Sequence, residues 1–348
     1  MSRKKAEVKK KTSIGGQALI EGVMMRGPET TAMAVRNPEG EIVLESWATS
    51  GKSRPRVFKL PFIRGAINFV DSMIIGYRCL MRSAEVAGLE DEEPKKKSAV
   101  AAEAMTAAGG CEAPAAESET NNGAGKDNAL EKKPGWFERF GMTLIMILSL
   151  ILGVAIAIGF FITLPAFLFN RLIELFHIKN NYILRAIFEG FMRILLFVGY
   201  ISAVSLMKDI RRVFMYHGAE HKTIFCYEKG EELTVENVRR QTRFHPRCGT
   251  SFMILMLIVG IVISMFIPVT NAAFRTGIKL LTIPLIVSIG YELIKIAGRS
   301  DHWLIRAISA PGLWLQRITT KEPSDDMIEV AIKSFSAVIP ESPEADRL

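Results

Sequence analysis

From Gly141 the chain reads GMTLIMILSLILGVAIAIGFFITLPAFLFN, with no charged residue until Arg171. Roughly 20 apolar residues cross the hydrocarbon core of a bilayer as a helix, and a helix is one of the few structures that satisfies its own backbone there. The run predicts a spanning helix, bent at Pro165. A hydrophobic fraction of 49% over 348 residues agrees with this, as does a mean hydropathy of +0.21. A second apolar run, Ser251 to Phe274, predicts another span. Two weaker candidates are Ile187 to Met207, which carries Glu189 and Arg193, and Ile278 to Ala297, which carries Glu292 and Lys295. Charges in lipid are costly, so these four are expected to face neighbouring helices or water. The expected fold class is mainly α: a polytopic helical membrane protein with about four transmembrane helices and a small N-terminal cytoplasmic β element.

Lysine and arginine set the expected orientation, because their excess stays on the cytoplasmic side. The segment between the second and third spans holds Lys208, Arg211, Arg212, Lys222, Lys229, Arg239, Arg240, Arg243 and Arg247, whereas the opposite loops carry only Arg171, Lys179, Arg185, Arg275 and Lys279. This predicts a multi-pass membrane protein with both termini on the cytoplasmic side. The formal charge of +8 is then mainly an orientation signal. The basic residues are not interleaved with stacking aromatics, as a single-strand binder needs, so membrane lipids are the expected partner and nucleic acid is not. The start MSRKKAEVKKK has no apolar core behind it and is not expected to be a signal peptide; it reads as a solvated tail or a headgroup contact.

Six regions follow. Residues 1–87 form a cytoplasmic or membrane-interface unit, and 88–135 a disordered linker of Ala, Glu, Gly, Ser, Asn and Lys, too poor in large apolar side chains to form a core. Residues 136–207 hold the first two spans, 208–250 a cytoplasmic loop, 251–297 the last two spans and 298–348 a cytoplasmic C-terminal tail. Within the first region, TAMAVRNPEGEIVLESWA reads as a hairpin turning at Asn37 to Gly40. After it, Arg64, Asn68, Asp71, Arg78, Arg82 and Glu85 form a polar stripe on an apolar helix. That helix is expected in the interface, on the spans with its stripe toward water, or in a soluble core. The glycine-rich IGGQALIEGVMMRGP permits close backbone approach and otherwise reads as a membrane-skimming loop.

The chemistry concentrates in the 208–250 loop. In HGAEH, His217 and His221 lie four positions apart on one helical face with Glu220 beside them, the HxxEH pattern in which two imidazoles hold zinc and a glutamate activates water. The second span can run on helically to deliver this motif. Gly230 then marks a turn, Thr234 caps a short helix, and HPRC returns His245 and Cys248 to the membrane just before the third span. Three imidazoles and a thiolate are good ligands for zinc or a similar divalent metal. Four protein ligands would make a closed structural site; three would leave a position for water. Glu21, Glu292 and Cys226 are further candidates.

GGQALIEGVMMRGP, AVRNPEGEI, YHGAEHKTI, YEKGEELTVENVR, HPRCGTSF and APGLWLQRITTKEPSDDMIEVAI together resemble the YqhQ-like family of bacterial membrane proteins, a family of unknown function described as predicted metal-dependent enzymes. The resemblance to bacterial proteins of this family implies His217, Glu220, His221, His245 and Cys248 as suspected metal-site residues; in the motif reading His217, His221, His245 and Cys248 are the candidate ligands and Glu220 the catalytic base. The expected function is a metal-dependent membrane enzyme, hydrolytic in type. The alternatives are a non-catalytic scaffold or assembly factor with a structural metal, and a transporter using Glu189, Arg193, Glu292 and Lys295.

Overall fold

The computed structural model describes residues 11–49, 60, 63–89, 136–177, 179, 181–269, 271–299, 302–342 and 346. The linker expected between 88 and 135 lies almost wholly outside them.

IGGQALIEGVMMRGP is not a membrane-skimming loop. Its two halves pair as antiparallel strands β1 (Gly15–Leu19) and β2 (Gly22–Arg26), joined through Glu21 in the left-handed region at φ 50°. The expected second hairpin follows as β3 (Thr30–Arg36) and β4 (Ile42–Ala48), closed by the Glu41 amide on Asn37 Oδ1 at 2.7 Å. The result is one four-stranded meander in the order β1-β2-β3-β4. Its two central strands are covered on both faces, which is why VMM and AMAV do not alternate with polar residues. One face, with Leu19, Met24, Met33 and Val35, meets Cys79, Ile75 and Leu80 of helix α1 (Ile63–Val86). The other, with Val23, Met25, Ala32 and Ala34, forms the main core.

Two helices complete that core: α5 (Lys208–Glu228), through Tyr216, Ala219, Ile224 and Cys226, and α11 (Asp325–Ser336), through Met327, Ile328, Ala331 and Phe335. The stretch read as a C-terminal tail thus carries α10 (Trp303–Thr319) and α11, and α11 is built into the interior.

The long apolar run folds as α2 (Trp136–Ile158), a π-helical turn at Gly159–Thr163 and α3 (Leu164–Phe176). Pro165 has no N–H to give the Phe161 carbonyl four residues back. Arg193 Nε donates to that oxygen instead, at 2.9 Å, from α4 (Tyr182–Val204). Leu148, Leu152 and Ile156 are 64%, 59% and 62% exposed in the isolated chain, a surface suited to lipid and not to water. The stretches Leu148–Phe176 and Tyr182–Val204 are long and apolar enough to cross a membrane, compatible with a membrane protein. The expected third span is the 16-residue α7 (Gly249–Ser264), shorter than a straight crossing needs. The expected fourth is a pair, α8 (Ala272–Leu281) and α9 (Ile283–Arg299), whose apolar parts are bent by 41° and count as a third span only if taken together. Four spans therefore become two or three by length.

The polar stripe of α1 does not face water throughout. Arg64 grips Glu292 of α9 in a fork at 2.7 and 2.6 Å, and Asn68 donates to Tyr291 Oη at 2.9 Å. One end of α1 lies on α9 and the other on the sheet, where Arg82 pairs with Glu45 at 2.8 Å.

Candidate metal centre

The expected continuous helix from the second span into HGAEH is broken. Val204 ends α4, Met207 is extended at ψ 134°, and α5 starts afresh at Lys208. Three residues of redirection turn α5 into the core, where Gly218 to Ile224 are buried. Gly218 is needed there: a Cβ at this position would lie 2.0 Å from the Lys321 carbonyl oxygen, in the segment between α10 and α11. After α5, the turn at Gly230 (φ 69°) leads to the short helix α6 (Val235–Arg239), capped by Thr234 as expected.

His217, His221 and Cys248 converge, with one ligand atom from each lying within 4.8 Å of the others. His217 Nδ1 lies 2.9 Å from the Thr319 carbonyl and His221 Nδ1 2.5 Å from the Arg243 carbonyl. A carbonyl only accepts, so both Nδ1 atoms carry protons and both Nε2 atoms turn toward the cluster. His217 Nε2 is 3.0 Å from Cys248 Sγ. Cys248 is the N-cap of α7, with Sγ accepting the Thr250 amide at 3.4 Å, a position that favours a thiolate.

The charges follow. Burial works against a charged His217, yet Cys248 outweighs it and lifts the imidazole pKa to about 9. Burial likewise opposes the Cys248 thiolate, but His217 and His221 hold the thiol well below its usual range. Burial raises the Glu220 carboxyl, against the pull of His221 and His217. One side of that carboxylate takes the Gly16 amide. Gly16 allows β1 to lie this close, since a Cβ there would sit 2.9 Å from Glu220 Cγ. Glu220 Oε2 and His221 Nε2 are buried and have no hydrogen-bond partner. Orphaned polar atoms of this kind call for a ligand, and two Nε2 atoms, a thiolate and an adjacent carboxylate fit a zinc-type ion.

The other expected residues are placed differently. His245 lies beside the three-residue group, its ring 5.6 Å from that of His221. Its Nδ1 faces the Arg247 amide at 3.4 Å and its Nε2 faces Glu228 Oε2 at 3.8 Å, beyond hydrogen-bond reach. Burial keeps His245 neutral, its pKa pushed down to about 4 against the opposing pull of Glu228. Glu228 is ionised despite its burial, matched by Arg247. Glu21 binds Arg212 at 2.5 Å and Tyr216, Glu292 binds Arg64, and the Cys226 thiol meets the Glu232 carbonyl at 3.4 Å; none joins the group.

Two supports have no signal in residue spacing. One is the Thr319 carbonyl. The other is Gln316, a fully buried amide of α10 that accepts from the His245 backbone N–H at 2.7 Å, donates to its carbonyl at 2.6 Å and reaches Ser251 at 2.9 Å. Both lie in the LWLQRITTKEP stretch, whose family resemblance was the one sequence cue to them.

The family profile described as Protein of unknown function (DUF1385) matches residues 60–341. Uncharacterized protein YqhQ of Bacillus subtilis (strain 168) is 31% identical over 329 residues, covering 93% of this chain and 92% of that protein. No solved structure matches the chain. With the profile and this relative each spanning most of the sequence, the chain belongs to the DUF1385 family.

Proposed function

We propose that the protein is a metal-dependent membrane hydrolase whose site lies at the cytoplasmic face of a bacterial membrane. The observation that carries this reading is the pairing of two buried, partnerless atoms, Glu220 Oε2 and His221 Nε2, beside the Cys248 thiolate. His217, His221 and Cys248 would hold the ion, leaving a fourth position. A zinc-type ion bound there would supply a Lewis acid and lower the pKa of a water molecule. Glu220 would accept the proton of the attacking water and return it to the leaving group; burial raises its pKa above the usual carboxylate range, which makes the carboxylate a stronger base. The Thr319 and Arg243 carbonyls fix both imidazole tautomers and keep Nε2 directed at the ion.

Deep burial favours a second reading. Glu220 is 4% exposed, His221 1% and Cys248 7%, so Glu220 as a fourth ligand would close the site and leave the ion to fasten α5 to α7, as in a scaffold. Glu220→Gln separates the two. Under the hydrolase reading the variant keeps its metal in elemental analysis, as His217→Ala and Cys248→Ala do not, and fails to complement a deletion strain. Metal lost from Glu220→Gln would favour the closed site; full complementation by it would exclude the hydrolase.

A further inference from the structure

A second cluster lies at the opposite ends of the apolar helices. Gly190 of α4 packs on Ile261, near the end of α7 remote from Cys248, so the two sites are separated by about 20 Å along that helix. Glu189 is 1% exposed there. It accepts from Arg185 Nε at 2.8 Å, is bonded by Lys279 and lies 3.6 Å from Arg193 Nη2. Arg275, 2% exposed, is the fourth cation, close enough for its charge to act on Glu189, Arg193 and Lys279.

Among the described residues, four cations thus face one carboxylate. Arg275 gives Nη1 to the Val269 carbonyl at 3.2 Å, while its Nε and Nη2 are buried and have no hydrogen-bond partner; Arg193 Nη2 has none either. Snorkelling to an aqueous face would account for exposed charges, but these groups are enclosed by protein. Uncompensated positive charge in a low-dielectric interior is unfavourable by far more than a hydrogen bond returns. The partnerless edge of Arg275, Nε with Nη2, is the donor pair that grips two oxygens of one anion.

We infer that Arg275, Arg193 and Lys279 form a binding site for a phosphate group. The open donors of Arg275 and Arg193, with the Lys279 ammonium beside them, offer more than one positive charge, which fits a phosphate better than a singly charged carboxylate. The phosphate belongs either to the headgroup of an anionic lipid or to free inorganic phosphate. The inference is independent of the metal centre.

The test uses the full chain. Inorganic phosphate is titrated against detergent-solubilised protein with calorimetric readout. In parallel, the protein is placed in nanodiscs of phosphatidylcholine alone or with phosphatidylglycerol, and the lipids retained after detergent extraction are counted by native mass spectrometry. Saturable phosphate binding identifies the free ion, and selective retention of phosphatidylglycerol identifies the lipid. In either arm Arg275→Gln weakens binding at least tenfold. Arg275→Lys keeps the charge and loses the fork, so it also weakens binding and serves where the glutamine variant does not fold. Glu189→Gln removes the one competing carboxylate, so its thermal stability rises with added phosphate or phosphatidylglycerol more than that of the wild type. Absence of binding in both arms, or binding indifferent to both Arg275 substitutions, overturns the site.

Discussion

At the residue scale the histidines of one loop behave as opposites. His217 is held protonated by a thiolate, and His245 is held neutral by burial, with its pKa down at about 4. The His245 contribution to pH-dependent stability has a definite sign. A histidine pKa depressed from about 6.5 on folding means that the unfolded chain takes up the proton first, so acid favours unfolding. Stability should fall as pH drops from about 6.5 toward about 4, by on the order of 3 kcal/mol from this group. Glu228, also depressed, adds loss of the same sign at lower pH. Denaturant titrations of detergent-solubilised protein with a chelator present, wild type against His245→Gln, isolate the contribution: the variant should have a shallower acid slope. Identical slopes would mean that His245 is solvated and free to protonate. The meeting of HGAEH with HPRC was legible because their residue types and the return of the chain between two apolar runs can be read along the sequence, and His217, His221 and Cys248 do converge. The displacement of His245 was not, because it depends on Glu228 and Phe225, which share its surroundings only after α5 is buried.

At the element scale the sequence disclosed what local chemistry decides. The Asn37 to Gly40 turn, the Thr234 cap and the apolar runs are written in a few adjacent residues. The β1–β2 hairpin was missed because both faces of β2 are covered, which removes the alternation that marks a half-exposed strand. The roles of α10 and α11 were missed because they come from contacts far along the chain. Gln316 is the clearest case: its amide satisfies both backbone groups of His245 and so anchors the turn that carries Cys248. Gln316→Leu keeps the bulk and leaves a buried N–H and C=O unpaired, a cost of roughly 1–3 kcal/mol each. The variant should keep its helical circular dichroism, bind zinc at least tenfold more weakly and lose hydrogen-exchange protection at residues 245–249. Unchanged zinc affinity would show that α5 alone positions the ligands.

At the scale of the whole molecule, the candidate metal centre sits where the sheet, α5 and the first turn of α7 meet, and the basic cluster sits toward the other end of α7. The 208–250 segment carries most of the basic residues that flank the apolar helices, and in loops this short an excess of lysine and arginine favours the cytoplasmic side, the side the proposed function requires. Cys248 and the buried thiols Cys79 and Cys226 would then lie on the reducing side, consistent with their being free. The bend between α8 and α9 and the shortness of α7 bear directly on how many times the chain crosses, and the two ends of α7 give a direct readout. A phosphatase reporter fused after Gly230 should be silent and a fluorescent cytoplasmic reporter there active; fused after Lys179, between α3 and α4, the phosphatase should be active instead. A third fusion after Val269 should match Lys179 if α7 crosses the bilayer and Gly230 if it is re-entrant. Phosphatase activity from Gly230 would put the thiolate site in an oxidising compartment, where His217, His221 and Cys248 could not serve as the reduced metal centre proposed for them.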